Sequence, residues 1–174
     1  LLSTDGETLD RPLERCRKML ADGAILAIKG IGGFHLACDA TRDGPVRELR
    51  RRKNRPHKPL AIMAQDMDAC RRLCVVGEAE AEALQSEQAP IVLMEARPDA
   101  ELSELIAPGL QRVGVMLPYT PLHSMLFDGP EVPPALVMTS CNRSEEPIAT
   151  SDEEVLRGLK DIVDAVLTND RDIE

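Results

Sequence analysis

Short, uninterrupted apolar segments recur along the chain and alternate with segments of helical spacing. The clearest covers residues 24–28, where five apolar residues follow one another. A run of this kind is typical of a strand that is buried on both faces of a sheet. Because strands and helices alternate without an internal repeat, the sequence predicts an α/β domain. The strand candidates are 24–28, 60–64, 91–94, 112–117, 135–139 and 162–167, and the helix candidates are 9–22, 43–55, 66–74, 78–88, 122–127 and 152–159.

Several of the connections are too short for the crossover that parallel neighbours need, so we expect a mixed sheet. Only 2% of the 174 residues are aromatic, which predicts an aliphatic core. No segment is long and apolar enough to span a membrane, and the amino terminus lacks a signal-peptide pattern. Five cysteines without framework spacing favour a reducing compartment, and we expect a cytoplasmic protein.

The two ends of the chain bear on its domain organisation. The sequence begins without an initiator Met, and it stops shortly after the last strand candidate. The length is that of one domain with a core of its own. We therefore expect a single domain, residues 1–174, that is a fragment of a longer multidomain protein.

Positive charge is concentrated in one place, the basic segment, residues 47–58. It holds seven of the chain's 21 basic residues against one acid, whereas the whole chain has a net charge of −9. A basic run is most often a solvated helix face, but a positive patch on an acidic protein also attracts multiply charged anions. A choice between the two readings depends on where the helix directs each side chain.

Helical spacing places one of these cations on the buried side. Asp43, Gly44 and Pro45 are typical of a helix start, and Pro56 ends the helix. Val46, Leu49 and Lys53 then share one stripe, so Lys53 lies on the apolar face and needs a partner. The proline-stiffened turn that follows carries Arg55 and Lys58 to the start of the next strand. We interpret the three cations Lys53, Arg55 and Lys58 as a clamp for phosphate.

Two other segments supply polar groups near strand ends. Ser140, Asn142 and Arg143 follow the strand candidate 135–139, where α/β proteins commonly place ligand-binding groups. A hydroxyl, an amide and a guanidinium can bond phosphate oxygens. A Ser-x-Asn sequence alone, however, does not favour a binding site over an ordinary polar loop. The glycine-rich turn 30–33 follows the first buried strand and is a weak motif, for which a tight turn is the simplest reading. With the clamp present, we interpret it as a wall of the site, with Lys29 and His35 facing the ligand.

The motifs together resemble a known family. Lys53-x-Arg55-Pro-x-Lys58-Pro and Ser140-x-Asn142 resemble the two halves of the YrdC-type signature. The segments 29–40 and 114–123 are more similar to the YrdC-like domain of the HypF carbamoyltransferases, which mature nickel–iron hydrogenase. The resemblance implies a twisted, open, mixed sheet flanked by helices, with a positively charged concave face.

The resemblance also implies a function. ATP with Mg²⁺ would react with carbamate, derived from carbamoyl phosphate, to give carbamoyl-adenylate, and the full-length protein would pass the carbamoyl group to the partner HypE. No protein ligand to a metal is expected, because Mg²⁺ would enter with ATP. Lys53 and Arg55 would be catalytic. Nucleotide phosphates would be bound by Lys53, Arg55, Lys58, Ser140, Asn142 and Arg143, and the carbamoyl pocket would be lined by Lys29, Gly32, Gly33, His35, Tyr119 and Thr120.

Three positions depart from the wider family. The threonine-binding synthases carry a Thr-x-Tyr-Gly-Leu pattern near His35 and an Arg where Met116 stands, which favours the carbamoyl branch here. Glu145 occupies a position that is commonly Gly, and its charge would weaken phosphate binding if it faced the ligand. The alternative function is a double-stranded RNA or other nucleic-acid-binding module that uses the basic segment. The net negative charge and the shortage of stacking aromatics leave only weak RNA binding to be expected.

Overall fold

The computed structural model describes residues 1–143 and 146–173, and within them it has eight strands and six helices. The strands are β1 (Leu2–Ser3), β2 (Leu26–Lys29), β3 (Phe34–Asp39), β4 (Ala61–Ala64), β5 (Val92–Glu95), β6 (Arg112–Met116), β7 (Ala135–Ser140) and β8 (Ala165–Leu167). The helices are α1 (Pro12–Ala21), α2 (Asp43–Lys53), α3 (Met67–Leu73), α4 (Glu78–Leu84), α5 (Pro121–Phe127) and α6 (Asp152–Gly158).

All eight strands form one open sheet in the order β1-β8-β2-β3-β7-β4-β6-β5. Two pairs are parallel, β2 with β8 and β4 with β6, and the other five are antiparallel. The predicted α/β class and mixed sheet are therefore confirmed.

Each face of the sheet buries an aliphatic core of its own. On one face, strand residues such as Ile62 and Val137 pack against α2, α3, α4 and α6. On the other, residues such as Ile28 and Met63 pack against α1 and α5. Strands covered on both faces carry apolar residues at successive positions, which explains the uninterrupted runs in the sequence.

Side-chain caps begin several of the helices where the sequence predicts them. Asp66 accepts a hydrogen bond from the amide of Ala69 at the start of α3, and Ser151 accepts one from Glu154 at the start of α6. These acceptors satisfy amides that have no partner inside the helix. Among the helices that the structure describes, none is long and apolar enough to cross a membrane.

Strand β3 is the main element that the sequence did not predict. It lies at the centre of the sheet, between β2 and β7, and it includes His35, which we had interpreted as part of a site wall. The polar residues His35 and Asp39 interrupt its apolar pattern, so no continuous run marks it as a strand. The final strand is also shorter than predicted, since only Ala165–Leu167 pairs with neighbours.

The sheet register brings three distant parts of the chain to one edge. Because β7 is antiparallel to both β3 and β4, the end of β7 lies beside the starts of these two strands. Ser140 is paired with His35, and Met138 is paired with Ala61. The turn after the basic helix, the Ser-x-Asn segment and the glycine-rich turn therefore approach one another.

Candidate functional site

A cavity of about 380 Å³ lies between the turn after α2 and the end of β7. Both halves of the predicted phosphate site border it, although they are far apart in the sequence. All six residues predicted to bind nucleotide phosphates line this cavity: Lys53, Arg55, Lys58, Ser140, Asn142 and Arg143.

Lys53 joins the two halves. Its side chain lies on the buried stripe of α2 with Val46 and Leu49, as the helical spacing predicts, and it is only 3% exposed. The Nζ atom donates to the Ser140 carbonyl at 2.5 Å, to the Asn142 carbonyl at 2.8 Å and to Asn142 Oδ1 at 2.7 Å. The partners that a buried lysine requires are thus oxygen atoms at the carboxyl-terminal end of β7.

Opposing effects act on the pKa of Lys53. Burial, and to a smaller extent the nearby Arg55 guanidinium, lowers the pKa of the ammonium to about 8. The three oxygen acceptors favour the charged form. At neutral pH Lys53 therefore carries a positive charge in the wall of the cavity, within reach of titration at mildly alkaline pH.

Arg55 and Lys58 lie on the turn itself. Lys58 is exposed, and Arg55 is half-buried and donates from Nη2 to the Pro59 carbonyl at 3.0 Å. Among the residues that the structure describes, the buried Nε of Arg55 has no hydrogen-bond partner. A buried donor without an acceptor is costly, so an anionic oxygen in the cavity would stabilise this atom.

The sequence analysis missed Arg50. This residue is 7% exposed, and its guanidinium contacts backbone carbonyls of the turn rather than the cavity. Burial, together with the charge of Arg55, lowers the pKa of Arg50. The signal was present, because position 50 completes the i, i+3, i+4, i+7 pattern with Val46, Leu49 and Lys53.

The Ser-x-Asn segment is held in shape by its own side chains. Ser140 Oγ donates to Asn142 Oδ1 at 2.8 Å, and Asn142 Nδ2 donates to the Glu146 carbonyl at 2.6 Å. Arg143 borders the cavity, but its guanidinium pairs with Asp161 at 2.6 Å. The departure at Glu145 lies outside the described residues.

The structure does not bring Lys29 together with His35. In the β2–β3 register Lys29 is paired with Phe34, so its side chain lies on the face opposite to that of His35. Lys29 is buried, and its Nζ donates to the Asn169 carbonyl at 3.0 Å. The prediction that Lys29 faces the ligand beside His35 is wrong, because strand alternation separates the two side chains.

The glycine-rich segment is a tight turn. The amide of Gly30 donates to the carbonyl of Gly33 at 2.9 Å, which joins β2 to β3. A Cβ at Gly33 would lie 2.7 Å from Ile148, whereas a Cβ at Gly32 would meet nothing within 4 Å. Gly33 is thus required by packing, and Gly32 stands at the open side of the turn.

A polar cluster of His35, Tyr119 and His123 lies next to Ser140 on the side of strand β3. His35 Nε2 and the Tyr119 hydroxyl are 2.6 Å apart, and the two rings meet edge to face. His123 packs against Tyr119 with ring centroids 4.7 Å apart. Thr120 accepts a hydrogen bond from the His123 amide and begins α5. The structure therefore brings together His35 and Tyr119, while the hydroxyl of Thr120 is used as a helix cap.

Burial keeps this cluster neutral. It lowers the pKa of His35 and raises that of Tyr119. Burial and the neighbouring His35 lower the pKa of His123 to about 4, and its side chain is fully enclosed. In the described part of the chain neither ring nitrogen of His123 has a hydrogen-bond partner. The candidate site would thus have a positive half at the cavity and a neutral half around His35, and none of the six residues predicted for the carbamoyl pocket lines that cavity.

Comparison with known proteins identifies the family. The family model described as Sua5_yciO_yrdC, telomere recombination, matches residues 18–174. The chain belongs to the Sua5/YciO/YrdC family. Membership confirms the predicted resemblance to the YrdC-type fold, and the matched region includes both halves of the signature around the cavity.

Within this family the chain is similar to part of the HypF proteins. Carbamoyltransferase HypF of Rhizobium leguminosarum bv. viciae is 47% identical over 170 residues, which cover 95% of this chain and 22% of that protein. The crystal structure of T. kodakarensis HypF superimposes with a TM-score of 0.93 at 42% identity, covering 99% of this chain and 23% of that one. The chain therefore spans about a fifth of the length of the relatives it matches.

A second solved structure, full-length HypF in the phosphate- and nucleotide-bound form, superimposes with a TM-score of 0.88 at 44% identity. The superposition covers 97% of the present chain and 26% of the full-length HypF chain. In the described residues of the present chain, no group of three or more His, Cys, Asp or Glu side chains could hold a metal ion.

Proposed function

We propose that this chain forms carbamoyl-adenylate from ATP and carbamate, with the phosphates of ATP bound in the cavity between the turn after α2 and the end of β7. The observation that carries the proposal is the convergence of Lys53, Arg55 and Lys58 with Ser140 and Asn142 on that one cavity. Cations and short polar side chains around an open space are the groups that bind phosphate oxygens.

The reaction needs no covalent nucleophile from the protein. A carbamate oxygen attacks the α-phosphorus of ATP and forms a new oxygen–phosphorus bond. The bond from the α-phosphorus to the oxygen bridging to the β-phosphorus breaks, and pyrophosphate leaves with the electron pair. Charge develops on the phosphate oxygens, so the protein accelerates the step through positioning and electrostatic stabilisation.

The positive half of the site suits this task. Lys53 supplies a fixed charge from the cavity wall, while Arg55 and Lys58 lie on the turn where they can contact the leaving pyrophosphate. Mg²⁺ bound to ATP would add further neutralisation of the triphosphate. Lys53 and Arg55 are accordingly the residues to which we assign catalytic roles.

The neutral half of the site suits carbamate. His35 is the pairing partner of Ser140, so the two side chains project from neighbouring strands on one face of the sheet. Adjacent strands are about 5 Å apart, which is close enough for a small acyl group to contact both. The neutral His35–Tyr119 pair can offer a hydrogen-bond donor to the carbamate without a charge that would bind phosphate instead.

The wider setting of this reaction follows from the HypF relatives. One of them is described in a phosphate- and nucleotide-bound form, which supports ATP as a ligand of the present chain. The carbamate would come from carbamoyl phosphate, and the carbamoyl group would pass to HypE in the cytoplasm to mature nickel–iron hydrogenase. We expect both steps to require a longer protein, since the match covers 22% of the Rhizobium leguminosarum relative.

Pyrophosphate exchange tests the reaction directly. The chain is incubated with ATP, Mg²⁺ and labelled pyrophosphate in ammonium bicarbonate, which contains carbamate at equilibrium, and label in ATP is counted. We expect exchange that requires both ammonium and bicarbonate and is lost in Arg55→Met. Exchange that proceeds equally in bicarbonate without ammonium would contradict carbamate as the substrate.

The nucleic-acid alternative is less well supported by the contacts of the basic segment. Arg51 and Arg52 bond Glu48, and Arg47 lies 3.5 Å from Asp43. Arg50 is directed inward to backbone carbonyls. Much of the positive charge that would face a duplex is therefore already paired, and only weak, salt-dependent RNA binding is expected.

A further inference from the structure

The turn that carries Arg55 and Lys58 is built around the guanidinium of Arg50. Nη1 of Arg50 lies 2.7 Å from the Arg55 carbonyl, 3.1 Å from the Pro56 carbonyl and 3.1 Å from the Lys58 carbonyl. Three carbonyls of a four-residue turn thus point at one nitrogen. A cation at the centre of the turn stabilises a backbone arrangement in which these oxygens would otherwise repel one another.

The same guanidinium fixes the turn to the rest of the fold. Nε donates to the Leu105 carbonyl at 2.8 Å, and Nη2 donates to the Ile106 carbonyl at 3.4 Å. The Ile106 carbonyl also accepts the amide of Leu60, the residue just before β4. The planar fork of an arginine can serve both sides at once, which a lysine ammonium on a flexible stem cannot.

The sequence of the turn explains why this support is needed. The Arg55 and Lys58 carbonyls belong to peptide groups that precede proline, so these peptides have no N–H. The turn can therefore make few backbone hydrogen bonds of its own. Asn54, with a φ of 51°, ends α2 and directs the chain into the turn. Arg50 replaces the missing internal bonds.

We infer that Arg50 is the positioning residue of the phosphate-binding turn: through five backbone carbonyls it holds Arg55 and Lys58 at the edge of the cavity. This inference rests on the proposed function for the identity of the ligand. Arg50 itself does not touch the ligand. Its charge is taken up by the carbonyls of the turn, so its contribution to binding is the shape of the turn.

Binding of pyrophosphate and of ATP with Mg²⁺ is measured by calorimetry for the wild-type chain, Arg50→Lys, Arg50→Met and Arg51→Met. Arg51→Met is the matched control, since it removes the same charge one position along the same helix, and within residues 1–143 and 146–173 the Arg51 guanidinium bonds Glu48 alone. We expect both Arg50 variants to bind each ligand at least about tenfold more weakly, and Arg51→Met to bind like the wild type.

The charge-conserving variant and a backbone measurement separate positioning from a structural or purely electrostatic role. Arg50→Lys keeps the charge, so weaker binding by a folded Arg50→Lys points to geometry. Nitrogen-15 relaxation at His57 and Lys58 should show faster motion in Arg50→Lys than in the wild type or Arg51→Met, with the strands unchanged.

Two outcomes would overturn the inference. If the wild type binds and Arg50→Lys binds equally well with an equally ordered turn, Arg50 does not position the site, although the proposed function stands. If Arg50→Met and Arg51→Met weaken binding to the same extent, a diffuse positive field is responsible. A wild-type chain that binds neither ligand would instead contradict the proposed function itself.

Discussion

Lys53 joins the fold to the proposed phosphate site through a single ammonium. It is buried, and it satisfies the carbonyls of Ser140 and Asn142 at the end of β7. Removal of the ammonium would take one donor from each of these carbonyls, although the Ser140 carbonyl would keep the Asn142 amide at 3.1 Å, and it would also remove a charge from the cavity wall. We therefore expect the same side chain to affect two measurable quantities, stability and nucleotide affinity.

Lys53→Met should lower both. We expect the free energy of unfolding to fall by about 1–3 kcal/mol, the cost of leaving buried polar groups unsatisfied. We also expect ATP affinity to fall by more than about tenfold, the effect of losing one charge-assisted contact. Urea unfolding and calorimetry measure the two effects, and Lys160→Met, at an exposed position, serves as the control. Unchanged ATP affinity in folded Lys53→Met would remove Lys53 from the site.

The pH dependence of binding offers a second test of Lys53. Its pKa of about 8 means that the ammonium is charged below pH 8 and loses its proton as the pH rises above it. Because a bound polyanion favours the charged form, ATP affinity should fall as the pH rises through about 8, by at most tenfold per pH unit. In Lys53→Met this fall should be absent. Identical pH profiles for the two proteins would show that another group controls binding.

His123 makes stability depend on acid. Its pKa of about 4 in the folded chain lies below the value of 6.5 of an exposed histidine, so between these values the unfolded chain binds more protons. Stability should therefore decrease as the pH falls from 6.5 to 4, with a contribution from this residue of about 3 kcal/mol. His123→Phe, which keeps an aromatic ring beside Tyr119, should show a smaller loss. The free energy of unfolding is measured in urea at pH 7 and at pH 4.5 for both proteins. If the wild type and His123→Phe lost the same amount between the two pH values, a neutral, buried His123 would be contradicted.

At the scale of elements, the turn between β2 and β3 has no room for a side chain at Gly33. A Cβ at Gly33 would lie 2.7 Å from Ile148, so Gly33→Ala must displace that side chain or the strand. Overpacking of this kind costs about 1–3 kcal/mol. Gly32→Ala, whose Cβ would meet nothing within 4 Å, should leave the melting temperature almost unchanged. Similar melting temperatures for both variants would mean that the turn yields more easily than its contacts indicate.

Helix α2 shows how far a sequence can predict a site. The spacing of Val46, Leu49 and Lys53 was enough to place the lysine on the buried face, because helical geometry acts over one or two turns. The acceptors of Lys53 could not be found in this way, since they belong to a strand that reaches α2 only through the fold. The burial of Arg50 could have been found from the same spacing, whereas its acceptors at Leu105 and Ile106 could not.

Strand β3 shows which part of the site could not be predicted from the sequence. Its polar residues His35 and Asp39 conceal a central strand, and without the strand the alternation of side chains along β2 and β3 could not be assigned. The site was therefore predicted with Lys29 and His35 on one side, whereas pairing places them on opposite faces. Residue types near a ligand can be inferred from a motif, but the direction of each side chain requires the register.

At the scale of the whole molecule, the order of the strands assembles the site. The antiparallel pairing of β7 with β3 and β4 places the neutral cluster and the positive turn on either side of one strand end. The family resemblance predicted that residues of these segments share one site, whereas composition and periodicity predicted the α/β class and the buried face of α2 but not the order of the strands. Long-range pairing is determined by the complete set of buried faces, so it cannot be derived from one segment at a time.

We propose that the cavity beside Lys53 binds the phosphates of ATP. Calorimetric titration of the wild-type chain with ATP and Mg²⁺ tests it most directly, with Arg55→Met, Arg51→Met and a short RNA duplex measured alongside. We predict saturable binding at one site that is lost in Arg55→Met and retained in Arg51→Met. Absence of ATP binding by the wild type, or binding of the RNA duplex alone, would contradict the account.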